Sequence, residues 1–141
     1  DDQQAMRSYY RDDITRIPEM KLCADRLWEN TGLGPSDIQV ANIYDHFTPL
    51  FLPQLEEFGF CEKGEAKEFL RDGNIEMGGL LPTNTNGGQL GEAYIHGMNG
   101  IAEAVRQIRG TSVNQVENVE NALVTAGTSV PTSALILSQD H

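Results

Sequence analysis

Between positions 20 and 28 the apolar residues Met20, Cys23, Ala24, Leu27 and Trp28 recur at i, i+3, i+4, i+7 and i+8, the spacing of one stripe on an α-helix. Pro18 suits the first turn of that helix, where a missing N–H costs nothing, and Gly32 to Pro35 ends it. The pattern then changes. Ile38, Val40, Ala41 and Ile43 form a short, largely β-branched run suited to a buried strand, with Tyr44-Asp45-His46 at its C-terminal end. Thr48-Pro49 predicts the next helix start, an N-cap oxygen followed by proline. Leu50, Phe51, Leu55 and Phe58 give that helix its apolar face and Gly59 stops it, so Tyr44 is expected in a strand-to-helix turn.

Further along, Ala66, Phe69 and Leu70 predict a short helix closed by Gly73, and Gly78 to Pro82 a short strand or extended stretch. After Asn84-Thr85-Asn86-Gly87-Gly88, the residues Leu90, Tyr94, Ile101, Ala104, Val105 and Ile108 fall on one long helical stripe that ends at Gly110. Arg106 and Arg109 lie near the negative end of its dipole. Gly91, Gly97 and Gly100 each cost such a helix about 1 kcal/mol relative to Ala, which is tolerable where the helix is buried and something approaches its backbone. Ala122–Ala126 and Ser133–Ser138 read as two strands joined by the turn Gly127 to Thr132, antiparallel because the connection is too short for a crossover. This order of elements is α/β: a mixed sheet with helices on its faces. Ligands in such folds bind beyond the strand C-termini, where Tyr44 and the glycine-rich loop before Tyr94 both fall.

Composition narrows the partners. A net charge of −11 repels a phosphate backbone or an anionic bilayer, so nucleic acid and membrane surfaces are excluded as partners. The acidic residues are scattered, as in Asp12-Asp13 and Glu56-Glu57, and read as solvated surface. Cys23 and Cys61 stand apart, with no CxxC or His cluster. That rules out the usual zinc spacings and a disulfide framework, and free thiols imply a reducing, cytoplasmic setting. The opening Asp1-Asp2-Gln3-Gln4 is unlike a basic signal-peptide start. With no initial Met, residues 1–141 are expected to be one domain of a longer chain, with 1–17 as a connecting segment.

From about Pro18 to Ser138 the sequence resembles the C-terminal half of the thiolase superfamily. Within it, the nearest likeness is to the thiolase-like lipid-transfer proteins that act as steroid side-chain-cleaving aldolases. The parts that carry the likeness are Thr31-Gly32-Leu33, Ser36-Asp37-Ile38 leading to Tyr44-Asp45-His46-Phe47-Thr48, the loop Asn86-Gly87-Gly88 with its helix, and the closing strand pair. The departures inform more than the matches. Thiolases carry Asn or His where Tyr44 stands, His-Pro where Tyr94-Ile95 stands, and a catalytic Cys where Thr125-Ala126-Gly127 runs. The resemblance therefore implies a chain without the thiolase cysteine, whose chemistry rests on Tyr44 and Tyr94, with His46 or His96 as a proton relay.

The same resemblance implies that Asn86, Gly87, Gly88 and His96 face the substrate, that no cofactor is needed beyond the coenzyme A of the substrate, and that no metal takes part. It implies a sheet of the five-stranded type with its first strand apparently absent, a homodimer made through the missing half, and a zinc-ribbon/OB-type (DUF35-like) partner. The 141 residues expressed alone are accordingly expected to be insoluble or molten. The implied reaction is retro-aldol cleavage of a steroid 3-hydroxyacyl-CoA with a shortened side chain, giving a ring ketone and propionyl-CoA. It needs a base for the hydroxyl proton, a donor for the enolate oxygen and an acid for the carbanion. A phenol can fill each role, but its ordinary pKa of about 10 makes it a weak base at pH 7 without help. The N-terminus of the helix expected near Leu90 is one source of that help. The alternatives are a non-catalytic lipid or acyl-CoA carrier or scaffold subunit, and a thiolase for another acyl-CoA. Outside such a family, both tyrosines would read as ordinary buried aromatics.

Overall fold

The computed structural model describes residues 13, 15–93, 95–127 and 132–139. Helix α1 spans Pro18–Thr31, with proline in its first turn and Gly32 at φ 70° closing it through an N–H bond to the Trp28 carbonyl. Strand β1 is Val40–Asn42. A 3-10 turn, Thr48–Leu50, runs directly into α2, Phe51–Glu57. The residue capping that turn is Phe47, and Thr48 makes no side-chain cap, so the helix begins one residue earlier than its Thr-Pro signal predicts. Helix α3 is Ala66–Arg71, α4 is Gly88–Gly91 and α5 is Met98–Ile108. Strands β2, Asn121–Ala126, and β3, Ser133–Ser138, complete the fold.

The sheet runs β1-β2-β3. Strand β1 lies parallel to β2, with Val40 opposite Ala122 and Asn42 opposite Val124, and β2 lies antiparallel to β3, with Ala122 opposite Leu137. The mixed sheet and the closing antiparallel pair are as expected. Among the described residues it has three strands rather than the five of the anticipated type. Side chains alternate between its faces, as strand geometry requires. Ala41 and Leu123 face Met20, Ala24, Phe51, Leu55 and Phe58 on one side, while Val40, Ala122 and Val124 face Ala104, Ile101 and Ile108 on the other. Helices thus cover both faces, with α1 and α2 on one and α5 on the other.

Two expected elements fold differently. The segment Gly78–Pro82 is a series of turns, because Gly78 adopts φ 84° and a Cβ on Gly79 would strike the carbonyls of Gly73 and Asn74. The extended contact falls just beyond it, where Thr83 makes a single parallel bridge to Ala41. There Ala41 donates to the Pro82 carbonyl at 3.1 Å and Asn84 N–H to the Ala41 carbonyl at 3.0 Å. Asn84, at φ 49°, then substitutes its side chain for a strand. Its Oδ1 accepts from Ile43 N–H at 2.8 Å and its Nδ2 donates to the Ile43 carbonyl at 3.0 Å.

The long helix expected from Leu90 to Ile108 is broken in two. Glu92 is extended (φ −126°, ψ 148°) and ends α4, and Gly97 at φ 74° caps the start of α5. Leu90 is 63% exposed and belongs to no common stripe. A four-residue α4 also offers no helix dipole of consequence to a nearby phenol. The buried face of α5 holds Glu103, Ala104 and Gln107, so two polar residues share it. Gly100 matches its sequence reading, since a Cβ there would sit 3.2 Å from Val124 Cγ1 and 3.3 Å from Asn42 Cβ.

Phe58 is 1% exposed and meets Trp28 edge-on, with centroids 6.0 Å apart. It joins α1 to α2 on one face of the sheet. Phe58→Ala is expected to cost about 3–5 kcal/mol, read as a lowered urea midpoint with an unchanged m-value.

Candidate active site

Tyr44 follows β1 directly, and its backbone is held from both sides. Its N–H donates to Thr125 Oγ1 at 2.9 Å, and its carbonyl accepts from Gln54 Nε2 at 2.8 Å. The same Gln54 nitrogen donates to the Leu50 carbonyl at 2.8 Å, while Gln54 Oε1 accepts the Thr125 hydroxyl hydrogen at 2.8 Å. Gln54 is fully buried and Thr125 is 2% exposed. The ends of β1 and β2 and the start of α2 are therefore joined by one closed circuit of hydrogen bonds. Thr125 stands where the resemblance puts the thiolase cysteine. Its only hydrogen is committed to Gln54, so it has none to donate to a ligand in the recess.

Beyond that circuit lies a recess lined by Asn42, Tyr44, Asp45, Asn86, Gly88, Gln89, Gly97, Gly100 and Thr125, among others. Its glycine-rich wall is tied to the strand end through Asp45, whose Oδ1 accepts from Gln89 N–H at 2.7 Å. Gly88, at φ 66°, leaves no room for a Cβ against the same carboxylate. Asn86 shapes the loop with Oδ1 accepting from Gly88 N–H at 3.2 Å and Nδ2 donating to Glu92 Oε2 at 2.6 Å. Bonds from Asn99 and Asn86 hold the Glu92 carboxyl below its usual pKa. Of the residues expected to face substrate, Asn86 and Gly88 line the recess, and Gly87, at φ 100°, caps α4 beside it.

The phenol oxygen of Tyr44 lies 3.3 Å from His96 Nδ1, although 52 residues separate the two in sequence. With its own proton on Nε2, that imidazole can accept the phenol's hydrogen. The His46 ring packs at a tilt against Tyr44 with centroids 4.6 Å apart, and it meets Phe47 with centroids 4.8 Å apart. Partial burial lowers the His46 pKa, outweighing its bond to the Tyr44 backbone and the nearby Asp45 charge. Tyr94, expected as the second catalytic phenol, lies outside the described residues.

Several residues of the site carry no sequence signal that singles them out. Glu103, 3% exposed, accepts from Thr85 Oγ1 and Ser112 Oγ at 2.6 Å each and from Gln107 Nε2 at 3.2 Å. Asn114 Nδ2 donates to the Thr85 carbonyl at 2.6 Å. This buried network fastens the loop before Asn86 to α5. A polar pair at i and i+4 inside an otherwise apolar helix pattern is the available clue. Asn42, 3% exposed, is concealed inside the β-branched run that marks the strand. Among the described residues no cluster of three or more His, Cys, Asp or Glu could hold a metal, and no helix is long and apolar enough to cross a membrane.

The same fold and sequence recur in known proteins. The chain belongs to the thiolase C-terminal domain-like family, whose profile matches residues 2–139. Among curated proteins it is 69% identical over 99% of its length to a steroid side-chain-cleaving aldolase of Thermomonospora curvata, of which it covers 36%. It is 67% identical over 96% of its length to the 17-hydroxy-3-oxo-4-pregnene-20-carboxyl-CoA lyase of Mycobacterium tuberculosis, covering 35% of that protein. The solved structure of an Ltp2-ChsH2(DUF35) aldolase superposes on 94% of the chain and 35% of its own chain, with a TM-score of 0.91 and 69% identity. The chain thus spans about a third of the length of the relatives it matches.

The two cysteines stand away from this recess. Burial and the carboxylates of Glu56, Glu65 and Glu62 push the Cys61 thiol up to about 11, and burial likewise raises Cys23. At pH 8 only about one Cys61 in a thousand is thiolate. Iodoacetamide labelling followed by mass spectrometry is expected to be slow at Cys61 and to rise about tenfold per pH unit up to pH 11. Turnover should be unchanged while either thiol reacts.

Proposed function

We propose that this chain is the catalytic C-terminal portion of a carbon–carbon lyase that performs retro-aldol cleavage of a steroid 3-hydroxyacyl-CoA thioester. The observation that carries this reading is the Tyr44 phenol in contact with His96, at a site where the hydroxyl standing at the family's cysteine position is fully engaged in structure. A site so built can move protons, and it presents a hydroxyl rather than a thiol at position 125. The high identity to relatives named as steroid aldolase and lyase supports the same reading.

In the proposed reaction a base removes the proton of the substrate's 3-hydroxyl. The C2–C3 bond breaks as the carbonyl of the ketone forms, and the electron pair passes to the thioester as an enolate. An acid then protonates C2, releasing the ring ketone and propionyl-CoA. Tyr44 serves as one of the proton-transferring groups, with His96 as its exchange partner in place of a helix dipole. The His46 ring, packed at a tilt against the phenol, positions it. Tyr94 is proposed as the second phenol, and Asn86, Gly87 and Gly88 as the wall that the acyl chain meets. The coenzyme A of the substrate is the one cofactor involved. A DUF35-type protein is the proposed partner, in line with the DUF35 component named in the related aldolase structure. The remainder of the longer chain is proposed to form the dimer, in a cytoplasmic enzyme.

The test uses the full-length protein with its partner and the CoA thioester of a 17-hydroxy steroid bearing the three-carbon side chain, following ketone release. Tyr44→Phe and Tyr94→Phe are each expected to lose well over tenfold in kcat, more than about 1.4 kcal/mol, with circular dichroism unchanged. If both variants keep more than a tenth of the wild-type rate, the lyase reading is wrong. Undiminished ligand binding without turnover in the wild type would favour the carrier alternative.

A further inference from the structure

Asn42 occupies the last position of β1, on the floor of the recess, between Val124 on the neighbouring strand and Gly100 on α5. It is 3% exposed, yet neither Nδ2 nor Oδ1 of its carboxamide has a hydrogen-bond partner among the described residues. A buried amide left in that state is costly, and native proteins almost always satisfy such groups. The recess it lines also receives Gln89, whose Oε1 is a second buried acceptor without a partner among the described residues. The space in the recess measures about 10 Å³, room for one water-sized atom. Every other amide around it is engaged. Asn84 is paired with Ile43, Gln54 with Tyr44 and Thr125, and Asn86 with Gly88 and Glu92.

From these observations we infer that Asn42 is a further catalytic residue, whose amide N–H binds a single oxygen atom in this recess. In turnover that oxygen is the thioester oxygen, which gains charge as the carbon–carbon bond breaks. In the substrate-free protein a water molecule takes the same position, bridging Asn42 and Gln89. Gly100 lets α5 approach this floor closely, since a Cβ there would sit 3.3 Å from Asn42 Cβ and 3.2 Å from Val124 Cγ1. A donor fixed in place and aimed at developing charge is the arrangement that stabilises an enolate most effectively. This role rests on the lyase reading above, whereas the oxygen-binding site stands on burial and unmet hydrogen bonds alone.

The experiment compares Asn42→Leu, which keeps the shape and removes both polar atoms, with Asn42→Asp, which replaces the donor by an acceptor. Both are made in the full-length protein with its partner. Ketone release is expected to fall about 100-fold in kcat for each, with KM for the acyl-CoA within about threefold. Asn42→Leu should melt no lower than the wild type once its unmet amide is gone, so the lost rate is not lost fold. A Leu variant turning over at more than a third of the wild-type rate, or impaired only through KM, overturns the catalytic role. If the wild-type complex releases no ketone, the lyase reading and this role fail together. A high-resolution crystal structure of the full chain then decides the binding site by itself. An ordered oxygen within hydrogen-bond distance of the Asn42 amide upholds it, and an amide paired to another protein group overturns it.

Discussion

Gln54 is the residue on which the arrangement of this domain's functional end depends. Its buried carboxamide joins Tyr44, Leu50 and Thr125 through three bonds of 2.8 Å each, and Thr125 closes the circuit on the Tyr44 N–H. Two parallel strands end here and a helix begins, so backbone groups that neither sheet nor helix satisfies accumulate at one place. Burying them unpaired would cost a few kcal/mol apiece. A single side chain with one acceptor and two donor hydrogens resolves the problem. In doing so it fixes where the chain leaves β1, and with it where Tyr44 projects.

A second polar arrangement supports the opposite wall. Glu103 and Gln107 of α5 gather Thr85, Ser112 and Asn114 beneath the glycine-rich loop. Asp45 ties that loop back to the strand end through Gln89. The recess is therefore enclosed by hydrogen-bonded backbone on both sides. Its shape is set by amides and carboxylates with directional demands, which apolar packing alone would leave adjustable.

Much of the fold is legible in the sequence where one physical signal dominates. Pro18 with the Met20 to Trp28 stripe locates α1, the β-branched run locates β1, and the short connection makes β2 and β3 antiparallel. Legibility fails where glycine makes two outcomes compatible with one pattern. Leu90, Tyr94 and Ile101 share a helical period, but Gly97 can adopt either a helical or a left-handed conformation and takes the latter. Gly78 and Gly79 likewise turn an apparent strand into a compact loop. At the site, Tyr44, Asn86 and Gly88 stand out by resemblance, whereas the contact between Tyr44 and His96 spans 52 positions that no local spacing encodes. Gln54 and Asn42 escape because a buried polar residue looks in sequence like any surface one.

The circuit around Tyr44 has an implication for how such sites diversify. Gln54 and Thr125 grip only main-chain atoms at position 44, the N–H and the carbonyl, and these are common to all residues but proline. The side chain there is presented by a holder indifferent to its identity. A scaffold of this kind can exchange one reactive group for another without rebuilding its frame, since the new side chain inherits a backbone already set in place. Replacing Thr125, by contrast, would disturb the holder itself, which makes position 125 the harder of the two to revisit.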